Sequence, residues 1–220
     1  YTQFSYASDT RFDRVIEVAN EPYENRMIKE RTQDRTTILC GSIWESDLPV
    51  LRRALAKYSE VCWLLVPHDV KAGSLHRLLK QLPATTQRYS TLPNNPHSNG
   101  PVLIDTMGIL ARLYRYADAA YIGGGFQDGI HNILEAAVYG LPLAFGPKHD
   151  HFPEAKGLIQ QQAAQAITNA DLFDNWVATT VLEESARQRA GQAASQYVQQ
   201  HRGGTVLTVQ LINRLLKDQT

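Results

Sequence analysis

The sequence lacks the features that mark several classes of protein. Its only two cysteines, Cys40 and Cys62, are too few for a disulfide framework, and each lies in an apolar stretch, so we expect buried thiols in a reducing compartment. Basic and acidic side chains balance at 22 each, which disfavours a nucleic-acid binder that neutralises phosphates. No apolar run reaches the ~20 residues that a bilayer span requires. The first residues also lack the charged-then-apolar pattern of a secretory signal.

Several nucleotide-binding and catalytic motifs are missing too. There is no G-x-G-x-x-G at a helix start, no P-loop and no G-x-S-x-G elbow, which disfavours a dinucleotide dehydrogenase, a P-loop NTPase and an α/β-hydrolase. There is no D-x-D to hold a cation on a diphosphate, and His149-Asp150-His151 offers two histidines without an evident third ligand. We therefore expect neither a metal nor a cofactor.

The remaining composition is that of a folded domain. The chain has 220 residues, 43% of them hydrophobic, so it can bury a core without disulfides or metals. No internal repeat or second domain boundary is visible, so we predict one domain over residues 1–220. Because the chain begins at Tyr1, within a polar segment, we expect it to be a fragment of something longer.

Apolar, β-branched runs alternate with helical patterns along the chain. The predicted strands are Thr36–Cys40, Val61–Val66, Val102–Ile104, Ala119–Ile122, Leu141–Phe145 and Gln165–Thr168. The predicted helices are Val15–Arg31, Asp47–Tyr58, Ser74–Leu82, Gly108–Tyr116, His131–Tyr139, 171–199 and 204–217, with Tyr89–Pro101 a loop. Strands that are apolar throughout are typical of a sheet covered on both faces. The order therefore predicts an α/β fold with a doubly wound, Rossmann-like parallel sheet.

In such a sheet, ligands bind outside the carboxyl ends of the strands. Four loops there have unusual sequences: Gly41-Ser42, Pro67-His68-Asp69, Asp105–Gly108 and Gly123–Glu135. We expect these loops to open on one edge of the sheet.

The loop from Gly123 to Glu135 carries the most chemistry. Three consecutive glycines let the backbone approach a ligand, and the following helix start can bind an anion. Asn132 and Glu135 are one helical turn apart, so the carboxylate of Glu135 can accept hydrogen bonds from sugar hydroxyls. In the alternative interpretation, Asn132 caps the helix and Glu135 only complements its dipole.

Two other loops also admit a plain structural interpretation. Thr106 and Gly108 either begin a helix that presents its N–H groups to a ligand or form an ordinary capped helix start. His68 either contacts a ligand or is a solvated loop histidine.

Two segments resemble a known family. The run Val102–Tyr114, with Asp105-Thr106-Met107-Gly108 inside it, resembles the "DTMGEL…LY" signature of the bacterial 3-deoxy-D-manno-octulosonic acid (Kdo) transferases. Ala120–Gly125 followed by Gly129–Ala137 resembles their "FVGGS…GGHNxLEPA" segment. The remaining similar positions, in the same order along the chain, are Asp9–Asp13, Gly41–Trp44, Val66–His68, Pro142, Gly146-Pro147, Phe152 and Glu154-Ala155.

The resemblance implies the carboxy-terminal, donor-binding half of a GT-B glycosyltransferase that transfers Kdo from CMP-Kdo to a lipid A precursor in lipopolysaccharide biosynthesis. By position, the resemblance assigns donor binding to eight residues: Ser42, His68, Met107, Gly108, Leu110, Gly124, Asn132 and Glu135. It assigns no catalytic residue to this chain, because the family's acidic catalytic residue and acceptor surface belong to the amino-terminal domain. We therefore expect the chain alone to be inactive.

The resemblance further implies that the full-length enzyme associates peripherally with the cytoplasmic face of the bacterial inner membrane, whereas the fragment itself is soluble. The sequence departs from the family pattern at Ile109, Ile130, Asp128 and Ser8, and the loss of a glycine at 130 stiffens the helix entry. Two alternatives stay open: another GT-B domain acting on a UDP-sugar, as a transferase or an epimerase, and a non-catalytic nucleotide-binding α/β module.

Overall fold

A seven-stranded parallel sheet organises the computed structural model, which describes residues 9–94 and 99–217. The strands are β1 (Thr37–Ile43), β2 (Cys62–Pro67), β3 (Gln87–Arg88), β4 (Val102–Leu103), β5 (Ala119–Ile122), β6 (Leu143–Phe145) and β7 (Ala164–Ala166). They lie in the order β3-β4-β2-β1-β5-β6-β7, and all pairs are parallel. Strands β2, β3 and β4 lie on one side of β1, and the later strands β5, β6 and β7 lie on its other side. The predicted doubly wound topology is confirmed, and its switch point lies between β1 and β5.

Helices cover both faces of this sheet. They are α1 (Arg11–Asn20), α2 (Arg26–Thr32), α3 (Leu48–Lys57), α4 (Ala72–Leu79), α5 (Leu110–Leu113), α6 (Leu134–Ala137), α7 (Pro153–Gln160), α8 (Ala170–Trp176), α9 (Glu184–Gln200) and α10 (Gly204–Lys217). Alternate side chains of β1 point to opposite faces: Leu39 packs in a core with α1, α6, α7 and α9, and Ile38 packs in a core with α3, α4 and α8. Within the described ranges, no helix is long and apolar enough to cross a membrane.

The first predicted helix, Val15–Arg31, is wrong in its extent. The structure has two helices here: α1 begins at Arg11 and ends at Asn20, and α2 begins at Arg26. Pro22 lies between them, and proline disfavours helix both at its own position and at the residue before it. Asn25 then caps α2, because its side chain accepts a hydrogen bond from the Ile28 N–H.

Strand β1 runs further than predicted, through Gly41-Ser42 to Ile43. The pairing with β2 shifts register between Cys40 and Ile43, and Ser42 adopts a positive φ of 52° there. Gly41 is the residue that lets Tyr114 pack against this part of the strand, since a Cβ at Gly41 would overlap the Tyr114 hydroxyl. The two residues therefore belong to an irregular strand end and not to a loop.

Shorter elements account for the other differences. The two-residue strand β3 was not predicted, and part of the predicted loop forms a 3₁₀ helix over Tyr89–Asn94. The predicted helix Gly108–Tyr116 begins later, at Leu110, and consists of α5 followed by a 3₁₀ turn over Tyr114–Tyr116, so its predicted end is correct. The predicted helix His131–Tyr139 reduces to the four-residue helix α6. A π-helical segment, Val177–Val181, follows α8 within the predicted helix 171–199. The departure at Ser8 and residues 95–98 of the predicted loop lie outside the described residues.

Candidate functional site

Three aromatic rings meet at the switch point of the sheet. Trp44 follows β1, His68 follows β2, and His131 lies in the loop after β5, so the topology delivers them to one edge. The ring of His68 stacks on Trp44 at a centroid distance of 4.2 Å and on His131 at 4.5 Å. The predicted site residue His68 is therefore part of a ring stack, and it is nevertheless exposed to solvent.

A hydrogen bond fixes the protonation pattern of His131. The indole N–H of Trp44 donates to Nε2 of His131 over 3.1 Å, so this nitrogen carries no proton and the neutral ring carries its proton on Nδ1. Burial lowers the pKa of His131, and the neighbouring His68 lowers it further. The imidazole of His131 is thus neutral near pH 7, a hydrogen-bonding group rather than a fixed charge.

The glycine-rich turn after β5 packs tightly against the strand ends. Gly124 adopts a φ of 90°, a left-handed conformation that side chains disfavour, and a Cβ there would overlap the carbonyl oxygen of Gly129. The N–H of Gly123 donates to the carbonyl of Gly41 at 2.8 Å, which continues the contact between β1 and β5. Glycine at position 124 is therefore required by the fold of this turn.

Asp47 ties this turn to the end of β1. Its fully buried carboxylate accepts hydrogen bonds from the Trp44 N–H at 2.8 Å, the Tyr121 hydroxyl at 2.8 Å and the Gly124 N–H at 3.1 Å. Burial raises the pKa of Asp47, while these three donors act in the opposite direction. Ser46, which directly precedes Asp47, does not cap α3, because its buried hydroxyl makes no hydrogen bond.

Asn132 and Glu135 lie together at the start of α6. The Asn132 side chain accepts a hydrogen bond from the Leu134 N–H at 3.2 Å and donates one to Oε1 of Glu135 at 3.1 Å. Burial raises the pKa of Glu135, and the hydrogen bond from Asn132 partly offsets this. Asn132 is not the N-cap of α6, which is Ile133, but its side chain accepts from the first N–H of the helix and at the same time orients the Glu135 carboxylate.

A cavity of about 290 Å³ opens between α1, α5 and α6 beside these two residues. Its polar lining consists of Arg11, Arg14, Arg112, Asn132, Glu135 and Tyr139. Carboxylates hold all three arginines: Arg11 pairs with Asp9 and Glu154, Arg14 with Glu17, and Arg112 with Glu21. Each guanidinium has five N–H donors, so these pairs position the arginines without exhausting them. The cavity can receive a ligand that combines anionic groups with hydroxyls.

The structure brings together only part of the predicted set. Asn132 and Glu135 line the cavity, where they meet Ala111 and Arg112 of α5. Met107, 65% exposed, and Gly108, with a φ of 82°, precede α5 but are not among the lining residues.

Three further predicted residues lie outside the cavity lining. Leu110 begins α5 and lies against Gly41, whereas Ser42 is half-buried at the irregular end of β1. Gly124 is buried in the turn that Asp47 holds. The assignment of these residues to donor binding stays a prediction.

Sequence reasoning missed the arginines, Trp44 and Asp47 as site residues. Arg11 and Trp44 stand within segments that resemble the family, so this signal was present for them. Arg112 lies within the similar run Val102–Tyr114 and shared this signal. Arg14 and Asp47 lie outside every similar segment, and only tertiary packing brings them to this region. Among the described residues, no group of three or more His, Cys, Asp or Glu side chains could hold a metal ion.

Comparisons with known proteins identify sequence relatives. No protein-family model matches the chain. The 3-deoxy-D-manno-octulosonic acid transferase of Haemophilus influenzae is 29% identical over 195 residues, 84% of this chain and 45% of that protein. The enzyme of the same name from Rickettsia felis is 30% identical over 169 residues, 71% of this chain and 36% of that protein. The chain thus spans less than half the length of these curated relatives.

A comparison of structures agrees with the sequence relatives. The carboxy-terminal CMP-Kdo-binding domain of WaaA from Acinetobacter baumannii matches with a TM-score of 0.66 at 20% identity, over 87% of this chain and all of that one. At this identity the match concerns the fold. The chain is a homologue of the 3-deoxy-D-manno-octulosonic acid transferases, with the fold of the carboxy-terminal Rossmann-like domain of a GT-B glycosyltransferase.

Proposed function

We propose that this chain is the donor-binding half of a glycosyltransferase that transfers Kdo from CMP-Kdo to a lipid A precursor. The observation that carries the proposal is the cavity beside α6, where Asn132 and Glu135 face three arginines. The sequence relatives named as Kdo transferases select this donor among nucleotide sugars.

The cavity has the polarity that the donor requires. CMP-Kdo carries a phosphate, a sugar carboxylate and many hydroxyls. Arg11 and Arg112 can donate to the anionic groups, because guanidinium geometry matches phosphate and carboxylate oxygens. The Glu135 carboxylate accepts hydrogen bonds from hydroxyls, and its contact with Asn132 restricts its orientation. The cavity thus offers guanidinium N–H donors for the anionic groups and, apart from them, a carboxylate acceptor for hydroxyls of the ribose or the sugar.

The same groups suit departure of CMP in the transfer step. The acceptor hydroxyl attacks the anomeric carbon, the bond from that carbon to the phosphate oxygen breaks, and the negative charge moves onto the CMP phosphate. Fixed N–H donors that face this phosphate stabilise the charge as it develops. A base that removes the acceptor's proton belongs, in this proposal, to the other part of a longer protein.

We propose that the longer protein works peripherally at the cytoplasmic face of the bacterial inner membrane, where its lipid acceptor would lie. This chain alone is expected to bind the donor without transferring the sugar. Transfer of Kdo from CMP-Kdo to a lipid A acceptor by the isolated chain would contradict this expectation.

Calorimetric titration with CMP tests the donor assignment. We expect CMP to bind more tightly than UMP, and Glu135→Ala to weaken CMP binding by about tenfold, the usual cost of losing one or two hydrogen bonds to a charged group. The matched control is Glu60→Ala, since Glu60 is exposed and lies outside the cavity lining. Equal affinities for CMP and UMP would favour a UDP-sugar domain, and unchanged CMP affinity in Glu135→Ala would remove Glu135 from the site.

A further inference from the structure

We propose that Asp47 is a positioning residue for the donor site: its carboxylate locks the glycine-rich turn and the Trp44 segment into the arrangement that binds CMP. This inference rests on the proposed function. Asp47 does not line the cavity itself, so its effect on the ligand is transmitted through the residues that it holds.

The geometry places Asp47 at the junction of two neighbouring strand ends. One carboxylate oxygen, Oδ2, accepts from both the Trp44 N–H and the Gly124 N–H, and the other, Oδ1, accepts from the Tyr121 hydroxyl. Trp44 follows β1, Tyr121 belongs to β5, and Gly124 lies in the turn after β5. A single side chain thus joins both sides of the switch point, where ligands of doubly wound sheets bind.

From Asp47, a chain of contacts leads through Trp44 and His131 to the cavity. The Trp44 backbone is fixed by Asp47, and its indole N–H donates to His131. His131 is followed directly by Asn132, which orients Glu135. Gly124, the second amide that Asp47 holds, also packs against this segment, because a Cβ at Gly124 would lie 3.1 Å from the His131 ring. Releasing the Trp44 and Gly124 amides therefore frees the segment that carries Asn132.

Asparagine can replace Asp47 in this geometry, whereas alanine cannot. The one amide oxygen of asparagine can accept from both N–H groups, while its NH₂ faces the Tyr121 hydroxyl, which rotates to accept. All three contacts survive without the negative charge. Alanine leaves two buried N–H groups and one hydroxyl without an acceptor. A positioning role thus predicts that Asp47→Asn rescues what Asp47→Ala loses.

Calorimetric titration of the whole chain with CMP separates this role from general stability. We expect Asp47→Ala to weaken CMP binding by about tenfold or more, and Asp47→Asn to remain within about threefold of the unaltered chain. The control is Asp174→Ala, which removes another buried carboxylate, one that bonds Arg53 of α3 away from the cavity. It should lower the urea midpoint while leaving CMP affinity unchanged.

The outcomes are distinct. A folded Asp47→Ala chain that binds CMP normally overturns the inference, as does an Asp174→Ala chain whose affinity falls with its stability to the same extent. Failure of the unaltered chain to bind CMP refutes the proposed function, and the inference with it. Amide hydrogen exchange in the unaltered chain decides the matter if Asp47→Ala does not fold. CMP should slow exchange at Trp44 and Gly124 severalfold, and unchanged exchange at both amides overturns the inference.

Discussion

Replacing Gly41 by alanine tests how tightly β1 packs against the segment that follows β4. The backbone of Gly41 pairs with Ile122 in the sheet, and its φ is not positive, so alanine fits the strand conformation. The added Cβ, however, would overlap the Tyr114 hydroxyl and approach Cζ of that ring to 3.2 Å and Cδ1 of Leu110 to 3.3 Å. Tyr114 is only 1% exposed, so its ring cannot swing out into solvent.

The magnitude follows from two opposing terms. Overpacking a close-packed core costs about 1–3 kcal/mol, and a clash with a fully buried aromatic ring belongs at the upper end. Alanine recovers about 0.5–1 kcal/mol, because glycine is entropically unfavourable in a strand. We therefore expect Gly41→Ala to lower the free energy of unfolding by about 2 kcal/mol, which for a domain of this size lowers Tm by about 4–8 °C.

Urea denaturation of three further variants assigns the loss to this contact. Tyr114→Phe removes the overlapping oxygen, so the double variant should be more stable than the sum of the single effects, by about 1–2 kcal/mol. Gly73→Ala is the matched control, since its Cβ would meet only the Arg77 side chain at 3.6 Å, and it should be neutral or slightly stabilising. A Gly41→Ala chain as stable as the original, or strictly additive effects in the double variant, would refute the packing described here.

Three other expectations follow from burial and exposure. Because burial raises the pKa of Glu135, its ionised form destabilises the fold. This destabilisation is absent below the ordinary glutamate pKa and grows as the pH rises through the pKa of Glu135 in the folded chain. Glu135→Gln should therefore unfold at a higher urea concentration than the original chain at pH 7, but at the same concentration near about pH 3. Burial likewise raises the pKa of both Cys40 and Cys62, so a thiol reagent at pH 8 should modify neither in the native chain and both in urea, and rapid native labelling would contradict their burial. Leu215 of α10 is 63% exposed, so Leu215→Gln should leave Tm within about 2 °C, whereas a larger fall would show that α10 packs against the body of the domain.

The sheet was predictable because its strands are continuous apolar runs that stop at glycine, proline or charged residues. Ala119–Ile122 was predicted with its observed bounds for this reason. Strand ends were harder to predict where a glycine lies inside the strand. Gly41 looks like the end of a strand in the sequence, yet it lies within β1, where its missing side chain leaves room for the Tyr114 ring. The short strand β3, Gln87–Arg88, has no apolar pattern at all, and its neighbour β4 alone determines its pairing.

Candidate site residues could be predicted where they directly follow the carboxyl end of a strand. The rule that ligands bind beyond the carboxyl ends of parallel strands selected His68, Asn132 and Glu135 without knowledge of the tertiary structure. It could not select Arg11, which precedes the first strand and reaches the cavity only because α1 packs beside α5 and α6. The sequence separation between Arg11 and Asn132 leaves no local pattern that links them.

The position of Arg11 connects the cavity to a buried charge on another helix. Glu154 of α7 is 3% exposed, and its carboxylate lies 2.9 Å from a guanidinium nitrogen of Arg11, while Asp9 holds the same side chain from the solvent side. A buried carboxylate without its cation is costly, so Glu154 favours the conformation in which α1 keeps Arg11 at the cavity. The guanidinium of Arg11 is therefore positioned by the ion pair between α1 and α7, whereas Asn132 and Glu135 are positioned by the loop after β5. If the cavity is the donor site proposed above, we expect Glu154→Gln to change its affinity for anions and Asn132→Ala its recognition of hydroxyls, each separately.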